Sequence, residues 1–191
     1  MDFQAWEAEV QKRIGINEGY RNTVYMDSAN PPNPTVGIGF NLNRADARDA
    51  LAKIGADYNA VLSGTPLTDQ QVAQLFAYSL APVVDEARAS LQPFHFDSMS
   101  DARRFVLCDL VFNLGNAGWL QFVNTRAIID QACHAARSGN SAGAHVLFGQ
   151  AADALTQSAW YNQVGNRAKR DVAMLRTSNW CDPNGDGSDA S

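Results

Sequence analysis

Cysteine is scarce in this 191-residue chain: Cys108, Cys133 and Cys181 are an odd number at unpatterned spacings, which suits a reducing compartment better than a disulfide framework. Basic charge is short as well, and a net charge of -5 argues against generic nucleic-acid binding, which rests on a basic surface. Long hydrophobic runs are missing. No window approaches a transmembrane span, and the first residues, MDFQAWEAEVQKRIG, carry neither a basic n-region nor a continuous apolar stretch. The expectation is a protein made in a cytoplasm without a signal peptide and without membrane insertion. The three histidines, His95, His134 and His145, fall at no zinc-ligand spacing, so neither a metal nor another cofactor is expected. There is no Gly-x-Ser-x-Gly for a nucleophile elbow, no internal repeat and no low-complexity linker.

What is present is 46% hydrophobic residues, enough to bury a core as one domain or two small lobes. The dominant period is helical. Phe3, Trp6, Val10 and Ile14 recur at spacings of three and four, and Gly19 can stop that helix in a left-handed cap. From Thr23 to Asp27 and from Pro34 to Phe40 the period becomes two. Val24, Met26, Val36, Ile38 and Phe40 can share an apolar face, leaving Thr23, Tyr25, Asp27, Thr35, Gly37 and Gly39 on the other. The SANPPNP between them is turn chemistry and predicts a hairpin with a longish loop. Helix signals return after about Asn43. Thr68 to Gln71 reads as a capping box, followed by Val72, Leu75, Phe76, Leu80 and Val83 at helical spacing with Pro82 as a kink. Further helices are expected over roughly 100–114, 124–137, 142–155 and 166–176. The predicted fold class is α+β, predominantly helical. A small α/β lobe spans about 16–66 and a connecting helix about 68–91. A helical lobe of about 92–180 takes in the N-terminal helix, and an acidic tail covers 181–191.

Two carboxylates stand out in INEGYRNTVYMDSANPPNPTVGIGF. Asp27 and Thr35 share the hairpin's polar face with two glycines, whose bare backbone admits close approach of a ligand. Glu18 arrives at the rim of that face from the end of the first helix, where the helix dipole disfavours an ionised carboxylate, as a general acid requires. Two carboxyl groups with an activated water between them are the machinery for cleaving a glycosidic bond with inversion, at a separation of about 6.5–9.5 Å. Taken singly, each is as well explained as a solvated surface group, with Asp27 capping the turn.

The stretch EGYRNTVYMD...TVGIGF resembles the phage-type lysozymes, a family of muramidases in which a Glu-Gly ends the first helix, an Asp follows, and a Thr precedes Gly-Ile-Gly. The similarity continues in DARRFVLCDLVFNLGNAGWLQFVNT and is closest in SAWYNQVGNRAKRDVAMLRTSNW, so it spans Ile14 to Trp180. The resemblance implies a lysozyme-like two-lobe fold forming a single catalytic domain over 1–180. It makes Glu18 the general acid, Asp27 the carboxylate across the bond and Thr35 the residue that positions the water. Arg167 matches the arginine that pairs with the catalytic Glu, and Tyr25 supports the same machinery. Asn41, Phe112, Asn113 and Thr125 match cleft-lining positions. The chain departs from the pattern at Phe40, where many members carry histidine, in a loop holding Pro31, Pro32 and Pro34, in the poorly aligned segment 44–65, and in its acidic balance.

The implied function is that of an endolysin-type muramidase. It would hydrolyse the β-1,4 bond between N-acetylmuramic acid and N-acetylglucosamine, with peptidoglycan glycan strands as partner, acting as a monomer in the periplasm or cell wall. A lytic transglycosylase, or a catalytically silent peptidoglycan-binding domain on the same fold, is the alternative. The tail, DPNGDGSD, places Asp182, Asn184, Asp186 and Gly187 at the first positions of an EF-hand loop, but the chain stops before the closing Glu. A flexible acidic tail is the preferred reading.

Overall fold

The computed structural model describes residues 2–27 and 31–189. It is predominantly helical with one small antiparallel sheet, an α+β arrangement. The chain divides into two compact units, Gln11–Pro82 and Met1–Val10 with Val83–Ser191. The divisions fall inside helix α1 (Phe3–Glu18) and helix α4 (Asp69–Ala89), the latter beside Pro82.

In the smaller unit α1 ends at Gly19, whose positive φ of 75° lets its N–H close back on the Gly15 carbonyl at 3.1 Å. Strands β1 (Arg21–Met26), β2 (Pro34–Gly37) and β3 (Phe40–Asn41) follow in spatial order. Tyr25 pairs with Thr35, Thr35 with Asn41, and Val36 with Phe40. Paired residues share a face, so Tyr25, Thr35 and Asn41 lie together on one side and Val36 and Phe40 on the other.

The expected apolar face therefore holds for Val36 and Phe40, with Val24 and Ile38 packed against the same core, but not throughout. Ile38 and Gly39 form the turn between β2 and β3. Met26 is 60% exposed, because β1 is an edge strand with a register break between Arg21 and Tyr25. Residues 28–30 of the expected turn lie outside the described residues.

Beneath the sheet, Val36, Phe40, Leu42, Leu51, Leu67 and Leu75 form the core of this unit. The poorly matching segment 44–65 holds two short helices, α2 (Ala47–Lys53) and α3 (Tyr58–Leu62). Asp57 caps α3 by accepting the Ala60 N–H at 2.7 Å. The capping box forms as read. The Gln71 side chain accepts the Thr68 N–H at 3.0 Å, and the Thr68 hydroxyl accepts the Gln71 N–H at 3.2 Å.

The larger unit holds α5 (His95–Ser98), α6 (Asp101–Leu120), α7 (Val123–Arg137), α8 (Ser141–Thr156), α9 (Ala159–Val164) and α10 (Asn166–Thr177). α6 breaks at Gly115, whose φ of 71° and ψ of 158° are not helical, so its regular part ends where the hydrophobic period does. α7 packs on α8, and α10 packs on α6, α8 and α9. Trp6, Phe96, Leu107, Leu110, Trp119 and Ile129 are fully buried here. The Trp6 ring meets Phe96 edge-on at 6.1 Å, and its indole N–H donates to the Asp101 carbonyl at 3.0 Å. Cys108, Cys133 and Cys181 are free and buried. Burial pushes the Cys133 thiol up to about 11, so it stays protonated at neutral pH. Among the described residues no single helix is long and apolar enough to cross a membrane.

The tail corrects an expectation. In place of a flexible acidic segment, residues 181–189 fold onto α10 with Cys181 and Gly187 buried. Its carboxylates accept backbone N–H groups: Asp189 from Asp182 at 2.6 Å, Asp182 from Asn184 at 2.9 Å, and Asp186 from Ser188 at 3.1 Å. Arg170 ties the loop down by donating to the Gly185 carbonyl at 2.8 Å. Composition suggested nothing to bury, but what docks is bare glycine backbone. A Cβ on Gly187, at φ 85°, would sit 2.9 Å from the Lys169 carbonyl oxygen. Gly187→Ala is therefore expected to detach the tail and destabilise by about 1–3 kcal/mol, read as a lower Tm in calorimetry. An unchanged Tm would show that the loop contributes nothing to stability. No group of three or more His, Cys, Asp or Glu side chains suited to a metal occurs among the described residues, the EF-hand-like stretch included.

Candidate functional site

Glu18 is the last residue of α1, half-buried, where the left-handed turn at Gly19 leaves its side chain at the helix end. Gly39 lies beside it, since a Cβ built there would stand 3.6 Å from Glu18 Oε2. With φ at 70°, Gly39 holds a conformation that other residues adopt at a cost, and it keeps bare backbone next to the carboxylate.

Tyr25 lies on β1, between Glu18 and Asp27 in the chain. Its ring lies under the Arg21 guanidinium, 4.8 Å from the centroid. Burial raises the phenol above its ordinary pKa. Arg21 opposes that shift, while Glu18 and Asp27 both add to it. Tyr25 itself is in register with Thr35, and Thr35 with Asn41, so the three share one face of the sheet.

Asp27 and Thr35 are joined through Asn33. The Asn33 backbone N–H donates to Asp27 Oδ1 at 2.8 Å and its side-chain amide to Oδ2 at 3.2 Å, while its carbonyl accepts the Asp27 N–H at 3.0 Å. The same carbonyl accepts the Thr35 hydroxyl at 3.2 Å, and Thr35 is only 3% exposed. Asn43 extends the network by donating to Asn33 Oδ1 at 3.1 Å, and its own N–H donates to Asn41 Oδ1 at 2.7 Å. One asparagine therefore orients the carboxylate and the hydroxyl together. Sequence reading passed over Asn33 and Asn43. The only signal was an asparagine before Pro34, which reads as turn chemistry.

The remaining candidates lie in the larger unit. Phe112 and Asn113 are half-buried on α6, with Asn113 Oδ1 accepting the Trp160 indole N–H at 2.8 Å. Thr125 is buried in the first turn of α7. Arg167 sits on α10 and grips Asp109 in a bidentate pair, Nε to Oδ2 at 2.7 Å and Nη2 to Oδ1 at 3.0 Å. Asp109 is 0% exposed and the Arg167 side chain 10%, so the pair is buried. Asp171, one helical turn on from Arg167, is buried as well, and its Oδ2 has no hydrogen-bond partner. Neither aspartate was anticipated, although Asp109 interrupts an apolar run, VLCDLVF, where a lone carboxylate asks for a partner, and Asp171 opens one, DVAML.

No protein-family model matches the chain.

Proposed function

We propose that this protein is a phage-type lysozyme with a lysozyme-like two-lobe fold, hydrolysing the β-1,4 bond between N-acetylmuramic acid and N-acetylglucosamine in peptidoglycan. The observation that carries the reading is Asn33, which ties the Asp27 carboxylate to the Thr35 hydroxyl in a unit where Gly39 lies beside Glu18. The motif resemblance across Ile14 to Trp180 supports the same assignment.

In this reading protonated Glu18 donates its proton to the glycosidic oxygen as the bond from the anomeric carbon to that oxygen breaks. Asp27 stabilises the positive charge that develops on the sugar and takes a proton from the water that attacks the opposite face, giving inversion. Thr35 donates its O–H to the Asn33 carbonyl, which leaves its oxygen the role of acceptor in positioning the water. At the end of the cycle Asp27 releases its proton to solvent and Glu18 takes one up, which restores both groups. By the resemblance, Asn41, Phe112, Asn113 and Thr125 are assigned to sugar binding, and Arg167 and Tyr25 to support of the catalytic groups. The site of action is the bacterial cell wall, and the protein acts as a monomer without a cofactor.

Mass spectrometry of soluble fragments released from purified peptidoglycan tests the reaction. Reducing-end N-acetylmuramic acid supports hydrolysis, anhydro-muramic ends would make the protein a lytic transglycosylase, and no fragments would leave a glycan-binding module. Asn33→Ala should lower kcat by about 10–100-fold with KM little changed, because misplacing Asp27 and Thr35 by a fraction of an ångström is costly in rate. Wild-type kcat in that variant would remove Asn33 from the machinery.

A further inference from the structure

The larger unit holds a cavity of about 280 Å³ where the start of α6, the end of α7, the first turns of α8 and the end of α10 meet. Its floor is apolar, lined by the buried side chains of Met99, Cys133, Ala144 and Phe148. Arg103, Thr177 and Ser178 give it a half-buried polar wall, with Ser98 and His145 exposed at the mouth. No aspartate or glutamate lines it. None of these residues enters the reaction proposed above.

Arg103 sets the electrostatics of the wall. Its Nε donates to the Leu175 carbonyl at 2.8 Å and its Nη2 to the Arg176 carbonyl at 3.1 Å, which caps the end of α10. Those two nitrogens share one edge of the guanidinium, and Nη1 makes no hydrogen bond. The Phe148 ring covers one face of the cation, with its centroid 3.6 Å from Cζ. Among the described residues no carboxylate pairs with Arg103, whereas Arg44, Arg88, Arg104, Arg167 and Arg176 each have one. Capping accounts for the Nε edge alone. It does not account for a cation without a counter-ion beside an apolar cavity, where burial disfavours the charge and pulls the guanidinium down to about 10.

Ser178 is the second observation. It ends α10 at φ 73°, a left-handed conformation that glycine adopts freely and serine holds at a cost. Its N–H closes on the Met174 carbonyl at 2.9 Å, a cap that glycine would make equally well. What serine adds there is a side-chain hydroxyl on a residue of the cavity wall.

We propose that this cavity binds a small organic anion: a carboxylate held by Arg103 Nη1 and the Ser178 hydroxyl, on a compact apolar body that covers Met99, Cys133 and Ala144. The planar guanidinium matches a carboxylate. The apolar floor favours a ligand with carbon to bury, which inorganic phosphate lacks. Size narrows the class further. At about 30 Å³ of liquid per water, the volume equals roughly nine waters, enough for one ring bearing a carboxylate and too little for a nucleotide or a disaccharide. The proposal is independent of the muramidase reading, since no step of that reaction uses these residues.

The test titrates benzoate, its neutral isostere benzamide and inorganic phosphate into the intact chain, with amide NMR to locate binding and calorimetry for Kd. Benzoate should bind saturably, with the largest shifts at the amides of Ala144, His145 and Ser178. Benzamide and phosphate should each bind at least about tenfold more weakly, for want of the charge or of the apolar contact. Arg103→Gln should weaken benzoate by about ten- to a hundredfold. Because Arg103 also caps α10, Ser178→Gly supplies a variant that keeps its fold. Tm should hold or rise as the left-handed cost disappears, while benzoate binds about threefold more weakly. A higher Tm with unchanged affinity would remove Ser178 from the site. Equal affinities for benzoate and benzamide would overturn the anion assignment, and equal affinities for benzoate and phosphate would overturn the apolar body. Absence of saturable shifts in wild type, or shifts away from the cavity, would leave Arg103 a helix cap and defeat the proposal as a whole.

Discussion

Glu18→Gln is expected to lower kcat on peptidoglycan by about 10²–10⁴-fold, the contribution typical of a positioned general acid. Glutamine keeps the volume and the hydrogen-bonding reach of glutamate but has no transferable proton. The protein should remain folded, because Glu18 is half-buried at a helix end and the helix is closed by the Gly19 N–H, a backbone contact the substitution leaves alone. The check is a pair of measurements on one preparation: initial rates of fragment release, and a melting curve. A large loss of rate at an unchanged Tm assigns the proton to Glu18. Rates near wild type would remove the acid from this position and, with it, the reason for grouping Asp27 and Thr35 into one site. KM should move little, since the lost interaction belongs to the transition state.

The largest stability effect is expected at Trp6. Its side chain is fully buried, edge-on to Phe96, with the Arg104 guanidinium 4.8 Å from its ring centroid and its indole N–H on the Asp101 carbonyl. Trp6→Ala removes that packing and opens a cavity, so a cost of about 3–5 kcal/mol is expected. For a chain of this size that corresponds to roughly 6–20 °C in Tm. Losing the N–H also leaves the Asp101 carbonyl one partner short at the start of α6. Trp6→Phe separates the terms: it keeps most of the apolar contact and loses only the hydrogen bond, so it should cost about 1–3 kcal/mol. Equal Tm values for the two variants would show that the indole hydrogen bond, and not the packing, carries the effect.

Much of the helical layout was legible because it rests on local rules. The apolar residues of the first helix, the Thr68–Gln71 capping box and the helical period over 100–114 each announce themselves within a few residues. The short helices α2, α3, α5 and α9 were not placed individually, since four to seven residues cannot show a full period and form only because neighbours bury them. Alternation was right at Val36 and Phe40 and wrong at Met26, because edge position and a register break are properties of pairing, invisible along one strand. The tail misled composition-based reading for a related reason: a glycine backbone can dock where no side chain could, and hydropathy does not count backbone.

For the candidate site, sequence alone named the residue types, Glu18, Asp27 and Thr35, because the chemistry of an acid, a second carboxylate and a hydroxyl is written in the side chains themselves. Their relation to one another came from the tertiary structure. Asn33 orients Asp27 and Thr35 through contacts that depend on where a loop closes, and Asp109 and Asp171 share an environment with Arg167 only because α6 and α10 pack together. Period, caps and functional groups are local and additive along the chain. Hydrogen-bond partners, burial and the protonation of a buried carboxyl depend on residues brought together from 58 positions away, as between Asp109 and Arg167, and folding alone decides them.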